Sequence, residues 1–154
     1  MNVIDQAAEI LNKAIAEKAS DIHLEAFQHK VQLRFRKDGQ LCLFSEINKD
    51  AAQVLITRFK VMGSLDIANN RLPQDGKMKY KYHDRFIDLR FATLPTLHGE
   101  KIVIRILDQD TGLLSLEKIN LPQKIAASLW GALSRNRGLF LVVGPTGSGK
   151  TTTL

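Results

Sequence analysis

Eight residues near the C-terminal end, Gly144-Pro145-Thr146-Gly147-Ser148-Gly149-Lys150-Thr151, have the types and spacing to hold a chain of phosphates. They fit G-x-x-x-x-G-K-S/T without a deviation. Gly144, Gly147 and Gly149 let the backbone turn tightly and aim its N–H groups inward at an anion. A helix after the loop would add its positive N-terminal end. Lys150 is a point charge for the β- and γ-phosphates of a nucleotide, and the Thr151 hydroxyl can ligate Mg²⁺.

Such a loop needs a strand before it and a helix after it. Leu139-Phe140-Leu141-Val142-Val143 is apolar at every position and runs directly into Gly144. That is the pattern of a parallel strand buried on both faces. Upstream, Asn120-Leu121-Pro122 reads as a helix start, with proline near the first turn. The helix carries Ile125, Leu129 and Leu133 and ends before Gly138. Downstream, the sequence stops at Leu154, and no acidic residue from a later strand is present to hold Mg²⁺ or orient water. The sequence therefore reads as a piece of a longer protein that holds half of a nucleotide site.

The first ~108 residues have a different texture. Ile4, Ala8, Leu11 and Ile15 recur at helical spacing. Two alternating runs follow. In the first, Ile22, Leu24 and Ala26 interleave with Asp21, His23 and Glu25. In the second, Val31, Leu33 and Phe35 interleave with polar residues. Both predict strands with one buried face. Asp38-Gly39 is a tight turn, and Leu41–Phe44 returns as the hairpin partner. A second helix starts near Asp50 as N-cap, runs through Leu55, Arg58, Phe59 and Met62, and stops at Gly63. Asn69–Gly76 reads as a loop. Met78, Tyr80 and Tyr82 then alternate with Lys77, Lys79 and Lys81, His83-Asp84 turns the chain, and Ile87, Leu89 and Phe91 face one way. A last strand covers Lys101–Leu107. The chain thus reads as mixed α+β up to about residue 108, followed by the opening of an α/β domain.

Composition bounds the partners. The chain has 154 residues, with 22 Lys+Arg against 16 Asp+Glu and a net charge of +6. An anionic partner such as nucleotide, nucleic acid or acidic lipid is allowed, and so is a plain solvated basic surface. The single cysteine, Cys42, excludes an intramolecular disulfide framework and a multi-cysteine metal site within this stretch. No apolar run approaches the roughly 20 residues that span a bilayer. The N-terminus lacks the basic-then-apolar pattern of a secretory signal, so the expected location is the cytoplasm.

A series of blocks carries a resemblance. They are Ala19-Ser20-Asp21-Ile22-His23-Leu24-Glu25, Arg34-Phe35-Arg36-Lys37-Asp38-Gly39 and Lys60–Ala68. Arg71-Leu72-Pro73-Gln74-Asp75-Gly76-Lys77, Thr93-Leu94-Pro95-Thr96, Gly99-Glu100-Lys101 and Arg105-Ile106-Leu107-Asp108 follow. The series closes on Gly144 to Thr152. In this order they resemble the ATPases of type II secretion and type IV pilus assembly, the bacterial traffic ATPases, over nearly the whole chain. The resemblance implies a PAS-like second N-terminal domain of mixed sheet and helices over residues 1–108 and a linker at 109–115. From 116 to 154 it implies the start of a RecA-like ATPase domain. It adds Thr152 to the residues that hold ATP, with Mg²⁺ at Thr151. It further implies a hexamer, cytoplasmic and peripheral at the inner membrane. The partners implied there are the cytoplasmic domains of secretion or pilus platform proteins.

Within the first domain, lone arginines interrupt alternating strands. A guanidinium there points to the polar face and can grip phosphate bidentately. By resemblance, two such positions approach the γ-phosphate. One maps onto Arg90. The other maps onto Lys77, where lysine keeps the charge but loses the fork. These two join Lys150 as candidate catalytic residues. An alternative for Arg90 is an ion pair with Asp88 on the same strand face, and Arg34, Arg36 and Arg105 are open to solvated or paired roles.

Three functional readings compete. The leading one is an ATP-driven motor subunit, with this stretch inactive alone. The second is a non-enzymatic docking module of the same membrane machine. The third, a nucleic-acid-dependent NTPase, lacks a basic–aromatic platform for bases, so no nucleic acid is expected as a partner. His23 reads as a packing or hydrogen-bonding residue, and Trp130 as core or linker packing.

Overall fold

In the computed structural model, residues 2–108, 121–144 and 150–153 are described. The chain divides into two compact units, Met1–Gln109 and Asp110–Leu154.

The first unit opens with α1 (Val3–Ala16), capped by the Asn2 side chain, which accepts from the Ile4 N–H at 3.1 Å. Its buried stripe is Ala7, Ile10, Leu11, Ala14 and Ile15. The expected face was rotated slightly: Ile4 is exposed and Ala8 only half-buried. Three strands follow, β1 (Asp21–Ala26), β2 (Val31–Lys37) and β3 (Gln40–Ile47). Asp38 (φ 49°) and Gly39 (φ 81°) form the two-residue turn between β2 and β3. Two positive φ values in succession match the twist of the flanking strands.

Helix α2 (Lys49–Met62) is capped by Asn48, not Asp50; the Asn48 Oδ1 accepts from the Ala51 N–H at 2.8 Å. Asp50 lies in the first turn, where its charge complements the helix dipole. Strand β4 (Gln74–Tyr82) begins inside the expected loop, because Gln74, Asp75 and Gly76 pair with Thr93, Ala92 and Phe91. There Gly76 packs against the end of α2 so closely that a Cβ would lie 2.1 Å from the Gly63 carbonyl oxygen. Strand β5 (Arg85–Thr96) follows a turn at His83, and β6 (Gly99–Leu107) starts two residues before the expected Lys101.

The six strands form one sheet in the order β3-β2-β1-β6-β5-β4. The α+β class holds, but each described pairing is antiparallel rather than mixed. The core lies on one sheet face, where Ile22, Leu24, Leu33, Phe35, Ile87, Leu89, Phe91, Ile102 and Ile104 meet Leu11, Leu55, Ile56 and Phe59 of the helices. Strand β1 departs from its expected single buried face, since Asp21 and His23 are buried too. It is central in the sheet, and long charged side chains from its neighbours cover its outer face.

In the second unit, α3 (Gln123–Leu133) matches the expected helix but has no buried residue. Trp130, expected to pack, is 57% exposed. Leu139–Val143 is not a strand. A parallel strand exists only by pairing with neighbours, and among the described residues every paired strand belongs to the first unit. A short helix, α4 (Lys150–Thr153), closes the described chain.

Candidate functional site

Antiparallel register assembles a row of charges on the outer face of the sheet. Lys77 is directly opposite Arg90, and Arg90 opposite Arg105. Asp21 lies between Arg105 and Arg36. Directly opposed residues sit about 4.5–5.5 Å apart, and like charges there are destabilising. The row is balanced at one end only. Arg105 Nε donates to Asp21 Oδ1 at 3.1 Å, Arg36 Nε lies 3.5 Å from Asp21 Oδ2, and Ser20 Oγ donates to Asp21 Oδ2 at 2.8 Å. Burial pushes the Asp21 carboxyl up, but the Ser20 and Arg105 hydrogen bonds outweigh it and hold the group below its ordinary value.

At the other end, Lys77 and Arg90 are exposed. Neither side chain has a hydrogen bond or ion pair to another described residue, so the alternative Arg90–Asp88 pair is not formed. Beside them lies a depression of about 350 Å³, lined by Asp75, Gly76, Arg90, Ala92, Val103 and Arg105. Its lining thus holds two guanidinium groups and one carboxylate, that of Asp75. Arg34 is a paired arginine instead: it meets Glu25, which also pairs with Lys101 at 3.3 Å.

His23 is 8% exposed on the same outer face, and neither ring nitrogen has a hydrogen-bond partner. Burial lowers its pKa, more than the Asp21 carboxylate raises it. The imidazole packs on that face, where burial disfavours its charged form.

In the second unit, the Lys150 ammonium donates to the Gly144 carbonyl at 2.8 Å, so the first and seventh residues of the glycine-rich motif touch. Pro145, Thr146, Gly147, Ser148 and Gly149 lie outside the described residues. Thr151 and Thr152 have helical backbone within α4, and their side chains lie outside the description. A lysine at the start of a helix, held across a glycine-rich loop, suits a phosphate ligand.

Two features escaped the sequence reading. Lys60 and Glu100 form an ion pair at 3.1 Å with side chains only 2% and 3% exposed. The signal was present: Lys60 falls on the apolar stripe of Ala52, Leu55, Ile56 and Phe59. The cross-strand row itself needed the register.

The chain thus carries a glycine-rich motif after an α+β unit whose outer sheet face holds a row of cations. The family model for "Type II/IV secretion system protein" matches residues 1–154, and the chain belongs to that family. It is 44% identical over 145 residues to type II secretion system protein E of Pseudomonas aeruginosa, which covers 94% of this chain and 29% of that protein. Among solved structures, the Legionella pneumophila ATPase DotB shares the fold at a TM-score of 0.67 and 18% identity, covering 94% of this chain and 39% of DotB. The pilus retraction motor PilT, solved with bound ADP, matches at a TM-score of 0.56 and 26% identity, over 94% of this chain and 40% of PilT. The chain thus spans less than half the length of each.

Proposed function

We propose that this chain works in an ATP-hydrolysing motor subunit that powers type II secretion or type IV pilus assembly. Residues 1–108 would be its PAS-like N-terminal domain, 109–115 a linker, and 116–154 the start of a RecA-like domain. ATP supplies the γ-phosphoryl group, and Mg²⁺ the counter-charge. Gly144 through Thr152 would hold the phosphates, with Lys150 as their charge partner and Thr151 as the Mg²⁺ ligand. The observation that carries the reading is the unbalanced cation row. Lys77 and Arg90 face each other across two strands with no described partner, which costs stability in isolation and suits an anion delivered from outside the domain.

Arg90 is the finger in this reading. Its fork can meet two oxygens of a transferring phosphoryl group, whereas Lys77 adds charge alone. The motor would assemble as a hexamer, so the phosphate met by Arg90 can belong to a neighbouring subunit. Its platform partners would place it at the cytoplasmic side of the inner membrane. No helix among the described residues is long and apolar enough to cross a membrane.

The test is Mg-ATP binding and hydrolysis by the 154-residue chain beside the full-length protein. Hydrolysis by the full-length protein alone supports the motor reading. No binding or hydrolysis in either contradicts it and leaves a docking module of the same machine.

A further inference from the structure

The motor reading leaves one buried charged pair without a task. The Lys60 ammonium has three protons and meets three acceptors. Glu100 Oε1 and Oε2 lie at 3.1 and 3.2 Å, and the Asn69 carbonyl at 2.7 Å. Pairs so deeply buried are often no more stabilising than apolar side chains of the same volume. Stability alone is therefore a poor reason for this one.

Asn69 is the hub of what the pair holds. Its carbonyl also accepts from Gln74 Nε2 at 2.6 Å. Its Oδ1 accepts from the backbone N–H groups of Arg71 and Leu72, at 3.1 and 3.2 Å, the bonding of an Asx-type turn. Gln74 reaches further back, donating to the Asp66 carbonyl at 3.0 Å and accepting from the Asp66 N–H at 2.8 Å. Gln74 is the first residue of β4, the strand that carries Lys77. One chain of contacts thus runs from Glu100 on β6 through Lys60 on α2 and Asn69 to the start of β4.

We propose that Lys60 and Glu100 are positioning residues: through Asn69 they lock the segment leading into β4, and so fix the Lys77 end of the cation row against Arg90. That this row meets phosphate rests on the motor reading. The locking itself does not.

The decisive variant is the double exchange Lys60→Met/Glu100→Leu, which replaces the charges with apolar groups of similar size. In the 154-residue chain the urea midpoint should be retained or raised. Amide hydrogen exchange at Ala68, Arg71 and Leu72 should quicken by about tenfold or more, with β5 amides unchanged. In the full-length protein kcat should fall about fivefold or more while KM moves less than about twofold. Should the double variant fail to fold, Gln74→Leu removes the second bond to the Asn69 carbonyl and should quicken exchange at the same amides. Unchanged exchange overturns the proposal, as does quickened exchange with kcat retained in a protein whose Arg90→Ala variant is impaired. If Arg90→Ala itself keeps full turnover while exchange quickens, the arginine reading fails and the lock stands.

Discussion

Residues 31–35 and residues 139–143 both have the apolar content of a strand, yet only the first run is one. Val31, Leu33 and Phe35 sit in β2, hydrogen-bonded to β1 on one side and β3 on the other, and each is at most 3% exposed. Leu139 and Val143 are 83% and 88% exposed, in a segment with no strand pairing to any described residue. The difference lies in the neighbours. Antiparallel partners come from a two-residue turn, whereas parallel partners come only through long crossovers. A hydrophobic pattern states what a segment would bury; topology decides whether anything is there to bury it against.

This contrast can be attacked at its strongest point. Phe59→Ala empties a fully buried site in the first unit and should cost about 3–5 kcal/mol in urea unfolding of the 154-residue chain. Leu141→Ser, at a position 70% exposed, should leave the same transition within about 0.5 kcal/mol. A large loss from Leu141→Ser would show that the second unit contributes to that cooperative fold.

The second unit is expected to matter for chemistry instead. Lys150→Ala in the full-length protein should reduce ATP turnover by about 10²–10³-fold, the scale of losing one charge-stabilising donor, with the urea midpoint of the first unit unchanged. Retained turnover would remove the loop from the mechanism.

A smaller effect probes the outer face of the sheet. Burial disfavours the charged form of His23, which is flanked by Asp21 and Glu25 on its own strand, Arg34 and Arg36 on β2, and Lys101 and Arg105 on β6. Its folded pKa lies below the ordinary value of about 6.5. The unfolded chain therefore takes up the proton first, and stability falls as pH drops below about 6.5. His23→Leu should flatten that decline between pH 7 and 5.5 in denaturant titrations. An unchanged slope would assign it to other groups.

The sequence made parts of this legible for clear reasons. The glycine-rich motif is local, so spacing alone picks it out. Ile87-Asp88-Leu89-Arg90-Phe91 alternates because one face of β5 is buried, and the structure keeps that face. Asn48 was overlooked because Asp50 is also a good cap, and the choice depends on where the first turn closes. Gln74-Asp75-Gly76 looks like a loop by composition, yet pairing with β5 and the close approach to Gly63 make it strand. The Lys77–Arg90–Arg105 row was not legible as a row, since cross-strand register depends on where each turn falls.

The central claim is that Arg90 meets the γ-phosphate of a nucleotide bound in the proposed motor. Its most direct test is kcat and nucleotide Kd for the full-length protein and its Arg90→Ala variant, measured side by side. The account predicts turnover reduced about tenfold or more, with Kd changed less than about threefold, because the guanidinium is needed for transition-state charge rather than for ground-state binding. Unchanged turnover would contradict it.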